Sequence, residues 1–114
     1  MPSKRFKKGE FRDGRNFAAL PWDVIDSAAY RSLSHPARSL LIDLLRQFRG
    51  SNNGQLLLTT KVLAPLGWRS VDVVLRARDD LVRVGLLHLT VQGRKPSWAS
   101  WYALTFLHLD QSEG

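Results

Sequence analysis

The fold is decided by residues 70–87, which read Ser70-Val-Asp-Val-Val-Leu-Arg-Ala-Arg-Asp-Asp-Leu-Val-Arg-Val-Gly-Leu-Leu87. Ser70 is a favoured N-cap residue, and Gly85 is the residue type that most often follows the last turn of a helix. The apolar positions between them recur at helical spacing and are predicted to face inward: Val74, Ala77 and Leu81, with Val71 and Val82 as further members. The stretch therefore predicts an amphipathic helix that runs from Ser70 to Val84.

Upstream of this helix lies the clearest apolar pattern in the chain. Its inward positions recur at the spacing of one helical face: Ala37, Leu40, Leu41, Leu44, Leu45 and Phe48. Ser34 is the predicted N-cap, and Pro36 lies in the first turn, where its missing N–H removes no hydrogen bond. Gly50 is predicted to end the helix. The pattern therefore predicts a core helix.

Shorter elements are predicted before and after this core helix. Pro21 and Asp23 open a short N-terminal helix in which Trp22 is predicted to pack, and Ser27 caps a further turn. After a turn at residues 51–54, Gln55–Leu58 is predicted as a short buried strand.

A short helix is predicted next, capped by Thr59 or Thr60. Pro65 would remove a hydrogen bond inside a longer helix and would clash with the preceding turn. The helix is therefore predicted to end or distort at Ala64, and Gly67 is predicted to close it.

After Gly85 the apolar pattern changes to a period of two. Leu87, Leu89 and Val91 alternate with polar residues, which predicts a half-buried strand with these three side chains inward. Residues 93–97 are predicted as a basic turn, and Trp101–Leu107 is predicted as the second strand because aromatic and β-branched residues favour strands. Together they predict a hairpin.

The order of elements is helix, short strand, helix, turn, helix and hairpin. Over about residues 34–107 this order resembles the winged helix-turn-helix superfamily, and residues 70–87 resemble its recognition helix with the junction into the wing. The resemblance implies an α+β fold that is mainly α. It also implies three core helices, a wing sheet of two or three antiparallel strands, an extra N-terminal helix, and duplex DNA as the partner.

A narrower similarity is carried by four segments: Leu20–Leu33, Ala37–Leu41, Asn53–Gly54 and Ser100–Thr105. They resemble small helix-turn-helix proteins of bacterial prophages and integrated elements, which are similar to replication-initiator winged helices. The similarity implies a mobile-element setting, with a role in transcription regulation or DNA replication. It assigns no activity to any residue.

The composition bounds the partner and the compartment. The 114 residues include 17 Lys and Arg against 10 Asp and Glu, a formal net charge of +7, which favours nucleic acid or an anionic membrane as the partner. No membrane partner is predicted, because the apolar patterns are better used as a core. Cysteine is absent, and neither a signal-peptide pattern nor an apolar run of about 18 residues occurs, so a cytoplasmic protein is predicted. Residues 1–16 are predicted as a basic arm, 17–109 as one domain and 110–114 as a polar tail. The arm is either a disordered tail or a segment that folds along phosphates or into a groove of the nucleic acid.

The candidate DNA contacts lie at the start of the third core helix and in the hairpin turn. The helix is predicted to present five residues to the major groove: Arg69, Ser70, Asp72, Val73 and Arg76. Arginine bonds to guanine, aspartate accepts from cytosine, and valine contacts the thymine methyl group. Four more residues are predicted to contact phosphates or the minor groove: Arg94 and Lys95 in the wing, with Arg38 and Lys61 as weaker backbone contacts. The alternative for the helix is that its arginines only pair with neighbouring aspartates.

No catalytic, metal or cofactor site is predicted. His35, His88 and His108 form no pair at metal-binding spacing, and the sequence contains no Gly-rich phosphate loop and no nucleophile elbow. The protein is therefore predicted not to be an enzyme and to have no small-molecule substrate.

Two other functions remain open from the sequence. The domain could bind another protein through Trp68, Trp98 and Trp101, or it could bind RNA or single strands with Trp98 or Trp101 stacked on a base. A homodimer is also open, with the first 33 residues as the candidate interface.

Overall fold

The structure, a computed structural model, describes residues 16–93 and 99–107. The elements in chain order are α1 (Trp22–Ile25), α2 (Ala28–Arg31), α3 (His35–Gln47), α4 (Thr60–Leu63), α5 (Val71–Arg83), β1 (Leu87–Val91) and β2 (Trp101–Leu104). Over the described residues the chain is therefore α+β, with five α-helices and one two-stranded antiparallel sheet. The predicted fold class is confirmed at this level, with two short N-terminal helices where one was expected.

Hydroxyl side chains start the helices α2 to α5. Ser27, Ser34, Thr59 and Ser70 each accept a hydrogen bond from the backbone N–H three residues later, at distances of 3.1–3.4 Å. A cap of this kind stabilises a helix by about 1 kcal/mol. The predicted caps are confirmed, and Thr59 is the residue that caps α4.

Proline shortens α4 as the sequence predicts. The α-helix ends at Leu63, and the next turn, Ala64–Leu66, is a 3₁₀ turn that carries Pro65. Gly67 follows with a φ of +101°, a left-handed conformation that only glycine adopts readily. The chain thereby turns sharply between α4 and α5.

The core lies where α3 packs against α5, with the sheet closing one side. The buried residues of α3 are the predicted ones: Ala37, Leu40, Leu41, Leu44 and Leu45. Those of α5 are Val74, Ala77 and Leu81. The prediction that Phe48 belongs to the inward face of this helix is wrong, because α3 ends at Gln47 and Phe48 has an extended backbone outside the helix.

The predicted strand Gln55–Leu58 is reduced to a single bridge. Leu56 pairs with Tyr102 of β2 through two backbone hydrogen bonds of 2.9 and 3.0 Å. Leu57 instead pairs with the side-chain amide of Gln47, whose nitrogen donates to the Leu57 carbonyl at 2.7 Å and whose oxygen accepts from the Leu57 N–H at 2.8 Å. Because the side chain satisfies both backbone groups, the segment has no need to extend the ladder.

A second side-chain amide, that of Asn53, bonds to β2 two residues beyond Tyr102. Asn53 is only 1% exposed. Its Oδ1 accepts from the Leu104 N–H at 2.9 Å, and its Nδ2 donates to the Leu104 carbonyl at 3.0 Å. The amide of Asn53 therefore pairs with β2 as a neighbouring strand would, at a residue where the sequence predicts only a turn.

The hairpin is shorter and less buried than predicted. Leu87 pairs with Leu104 and both are buried, but Leu89 and Val91 are exposed, so the prediction that they face inward is wrong. Tyr102, the partner of Leu89, is buried, because β2 lies between β1 and Leu56, whereas β1 is the edge of the described sheet. A register shift between Leu89 and Val91 also breaks the alternation of β1. β2 ends at Leu104, three residues before the predicted end.

One carboxylate of α5 joins the two long helices. Asp80 accepts a hydrogen bond from the backbone N–H of Ser34, the N-cap of α3, at 2.9 Å, and it also pairs with Arg83. The Ser34 N–H and the Arg83 guanidinium hold the pKa of Asp80 below its usual value, since both stabilise the charged carboxylate. Asp80 thereby holds the end of α5 at the start of α3.

We expect Asp80→Asn to lower the free energy of unfolding at pH 7 by about 1 kcal/mol, because the hydrogen bond to Ser34 loses its charge. A lowered folded-state pKa gives stability that is present above the ordinary aspartate pKa and is lost as the pH falls through the folded-state pKa. The free energies of unfolding of wild type and variant, measured in urea, should therefore become equal as the pH is lowered from 7 into the acid range. Asp23→Asn, on the exposed side of α1, is the control for net charge. If Asp80→Asn is still less stable than wild type in acid, the charge of Asp80 is not what stabilises the fold.

Candidate nucleic-acid interface

The candidate recognition helix, α5, presents one long face to solvent. At 100° per residue the buried Val74, Ala77 and Leu81 define the inner side. Asp72 and Arg76 point away from it, and both side chains are 73% exposed. Of the predicted major-groove residues, these two are therefore placed where a duplex could reach them.

The other predicted contacts of the helix are placed less uniformly. Arg69 and Ser70 are exposed just before α5, but the Ser70 hydroxyl already serves as the helix cap. Val73 is half-buried on the flank of the helix. The exposed apolar residues of α5 are others, Val71, Leu75 and Val82.

Three apolar side chains form an exposed line along α5. Val71, Leu75 and Val82 are 61%, 40% and 45% exposed and lie within about 40° of each other around the helix. We call this line the α5 stripe. The prediction that Val71 and Val82 face inward is wrong, because the core contacts only the side of the helix that carries Leu81.

The arginines of α5 are all paired within the helix. Arg76 lies 2.8 Å from Asp72, Arg78 lies 2.8 Å from Asp79, and Arg83 pairs with Asp80. Three arginines and three aspartates leave α5 with no net charge. The predicted alternative of intrahelical pairing is thus present. An exposed pair is worth only about 0–1 kcal/mol, so Arg76 can exchange Asp72 for another partner at little cost.

The positive charge of the chain lies mainly outside α5. Residues 1–16 contain six basic and two acidic side chains, a net charge of +4 out of +7. Apart from Asn16, this arm lies outside the described residues, as do Arg94 and Lys95 between β1 and β2. Next to them the Gly93 N–H donates to the Ser100 hydroxyl at 2.8 Å.

The weaker predicted contacts differ in their surroundings. The Arg38 guanidinium lies 4.9 Å from the centre of the Tyr30 ring and donates to the Arg31 carbonyl at 2.9 Å. These contacts join α2 to α3, so Arg38 has a structural role that sequence reasoning missed. Lys61 is exposed on α4.

The tryptophans also differ from expectation. Trp68 donates from its ring nitrogen to Asp43 of α3 at 2.6 Å and packs against the core, so it belongs to the fold rather than to a partner patch. Trp101 is partly exposed opposite Val91, and Trp98 lies outside the described residues. Trp22, which was predicted to pack, is 84% exposed.

Comparisons with protein-family models, curated proteins and solved structures found no match to this chain. The relationship to winged helices therefore stays a prediction. Within the described parts of the chain, no three His, Cys, Asp or Glu side chains are grouped so that they could hold a metal ion. None of the described helices is both long and apolar enough to cross a bilayer.

Proposed function

We propose that this protein is a winged-helix protein that binds duplex DNA, with α5 in the major groove and the wing on the adjacent backbone. The observation that carries the proposal is the exposed pair of Asp72 and Arg76 near the capped start of α5. A helix of 13 residues fits a major groove about 12 Å wide. The hairpin follows α5 at once and carries Arg94 and Lys95 between its strands.

The charge distribution suggests that base contacts and phosphate contacts come from different parts of the molecule. Because α5 is neutral, it contributes readout of bases, with Arg76 bonding guanine and Asp72 accepting from cytosine. The arm and the wing supply the attraction to phosphates, which depends on net positive charge. The setting that fits this proposal is a bacterial mobile element. There the protein acts in the cytoplasm as a transcriptional regulator or a replication-initiation factor.

A salt titration tests the proposal. If about five phosphates are neutralised, log K for a duplex should fall against log salt with a slope of about −4.5. Fluorescence anisotropy with a labelled duplex measures it, and selection from a random duplex library at two salt concentrations gives the preferred site. A slope near zero, or no binding at low salt, contradicts the proposal.

Single-stranded nucleic acid is the second candidate, and Trp22 favours it. This exposed indole lies a few residues after the basic arm, which is the combination of a stacking ring and positive charge that single-strand binders use. In the same titration a single-stranded oligonucleotide serves as the competitor. Preference for the single strand, with quenched tryptophan fluorescence, favours the second candidate over the first.

A further inference from the structure

The exposed face of α5 has a property that base reading does not require: it is complementary to itself. The α5 stripe runs the length of the helix, about 16 Å from Val71 to Val82 at 1.5 Å per residue. DNA contacts are expected near the helix start, whereas Val82 lies in the last turn. Exposed apolar residues that share one side of a helix over three turns are typical of helix-to-helix packing, and here Arg78 lies between Leu75 and Val82.

Four exposed charges line one edge of the stripe in alternating order: Asp72, Arg76, Asp79 and Arg83. At 100° per residue they fall within about 60° of each other around the helix. Read backwards, the order of signs is inverted. An antiparallel copy of α5 therefore sets each acid against a base, whereas a parallel copy in register sets like charges together.

One antiparallel register that fits both the stripe and the charges sets Leu75 opposite Val82. When Leu75 lies opposite Val82 of a second copy, the two-fold axis passes between Arg78 and Asp79. Asp72 then lies within two positions of Arg83 of that copy, and Arg76 lies equally close to its Asp79. In antiparallel helix pairs the same flank of each helix faces its counterpart, so these side chains are within reach.

The ion pairs within α5 do not oppose this arrangement. The side chains of these four charged residues are between 57% and 73% exposed, and the pair of Asp72 and Arg76, which is exposed at both ends, is weak. Asp79 and Arg83 have less exposed partners within the helix, Arg78 at 31% and Asp80 at 18%, and can keep them. Exchanging an intrahelical partner for one across the interface costs little, while the stripe is removed from water. From the stripe and the inverted charge order we propose that two copies of this chain associate through antiparallel α5 helices.

This surface coincides with the one that we propose for DNA. Self-association and entry of α5 into the major groove therefore exclude each other, a consequence that rests on the proposed function. The dimer itself does not depend on it, so the two are separated by testing the protein first without DNA.

The absence of cysteine from the natural chain makes cross-linking a clean test of the register. We make two variants of the full chain, Leu75→Cys and Val82→Cys, one of them with an affinity tag so that mass distinguishes the products. Antiparallel pairing predicts that oxidation of the mixture gives mainly the mixed disulfide. Each variant alone should cross-link poorly, because seven residues separate the two thiols by about 10 Å along the axis. Ser39→Cys, on the exposed side of α3, is the control.

If each variant alone forms disulfides efficiently, and the mixed disulfide does not exceed them in the mixture, the chains pair in parallel or collide at random, and the proposal is overturned. Sedimentation gives the second readout. Wild type should sediment with twice its monomer mass at high concentration, and the double variant Leu75→Gln and Val82→Gln should sediment as a monomer. Both side chains are already partly exposed, so an unchanged far-ultraviolet circular dichroism spectrum is expected. Wild type that stays monomeric overturns the proposal as well.

Discussion

Replacing Asn53 by alanine is expected to lower the free energy of unfolding by about 3 kcal/mol, because two backbone groups of one residue lose their partner together. The Leu104 N–H donates to Asn53 Oδ1, and the Leu104 carbonyl accepts from Asn53 Nδ2. Leu104 is completely buried, so its N–H and carbonyl lose their protein partner at a site shielded from bulk water. Urea unfolding followed by tryptophan fluorescence measures the loss.

A matched variant separates this effect from damage to the turn. Ser51 lies in the same turn and is exposed, so Ser51→Ala should change stability by less than about 0.5 kcal/mol. Asn53→Asp is expected to destabilise more than Asn53→Ala, because it sets a buried carboxylate against the Leu104 carbonyl. If Asn53→Ala stays within 1 kcal/mol of wild type, the amide does not act as a substitute strand.

The helices could be predicted from the sequence because their signals are local. Each cap bonds to a residue three positions away, and the inward residues of α3 follow one period over three turns. Pro65 similarly acts on its own turn. Information of this kind is contained in windows of a few residues, and it located the start of α3 at Ser34 and that of α5 at Ser70.

The length of the strand at Gln55–Leu58 and the pairing of β2 could not be predicted, because side-chain amides replace strand backbone at Leu57 and at Leu104. Gln47 lies ten positions before Leu57, and Asn53 lies 51 positions before Leu104. Either amide reads locally as a helix-end or turn residue. Only the tertiary structure shows that each takes the place of a strand backbone.

The sequence predicts where the candidate helix α5 lies better than it predicts which of its residues are exposed. The sequence predicts that α5 has an outer face, but Val71 and Val82 fit the inward pattern as well as Leu81 does. How wide a side of a helix is covered depends on its neighbours, which no local window contains. The same reason explains Trp22, which has no element of the described chain over it that would bury it.

If α5 and the wing bind DNA as proposed, the double variant Arg76→Ala and Arg94→Ala should show the largest loss of duplex affinity. Arg76 is exposed and only weakly held by Asp72. Loss of a bidentate contact to guanine costs about 1–3 kcal/mol, roughly 5- to 150-fold in affinity for the preferred site. Loss of one phosphate contact at Arg94 should make the salt slope shallower by about 0.9 for every sequence.

The single variants should separate the two roles, since readout of a base and attraction to a phosphate differ in what they respond to. Arg76→Ala should reduce the difference in affinity between the preferred duplex and random duplexes. It should change the slope of log K against log salt only slightly. Arg94→Ala should weaken both duplexes equally. Arg46→Ala removes the same charge from the exposed side of α3, away from the α3–α5 contact, and should leave the preference for the selected site unchanged. If the double variant binds as wild type does, Arg76 and Arg94 do not contribute to duplex binding, and the proposed roles of α5 and the wing are wrong.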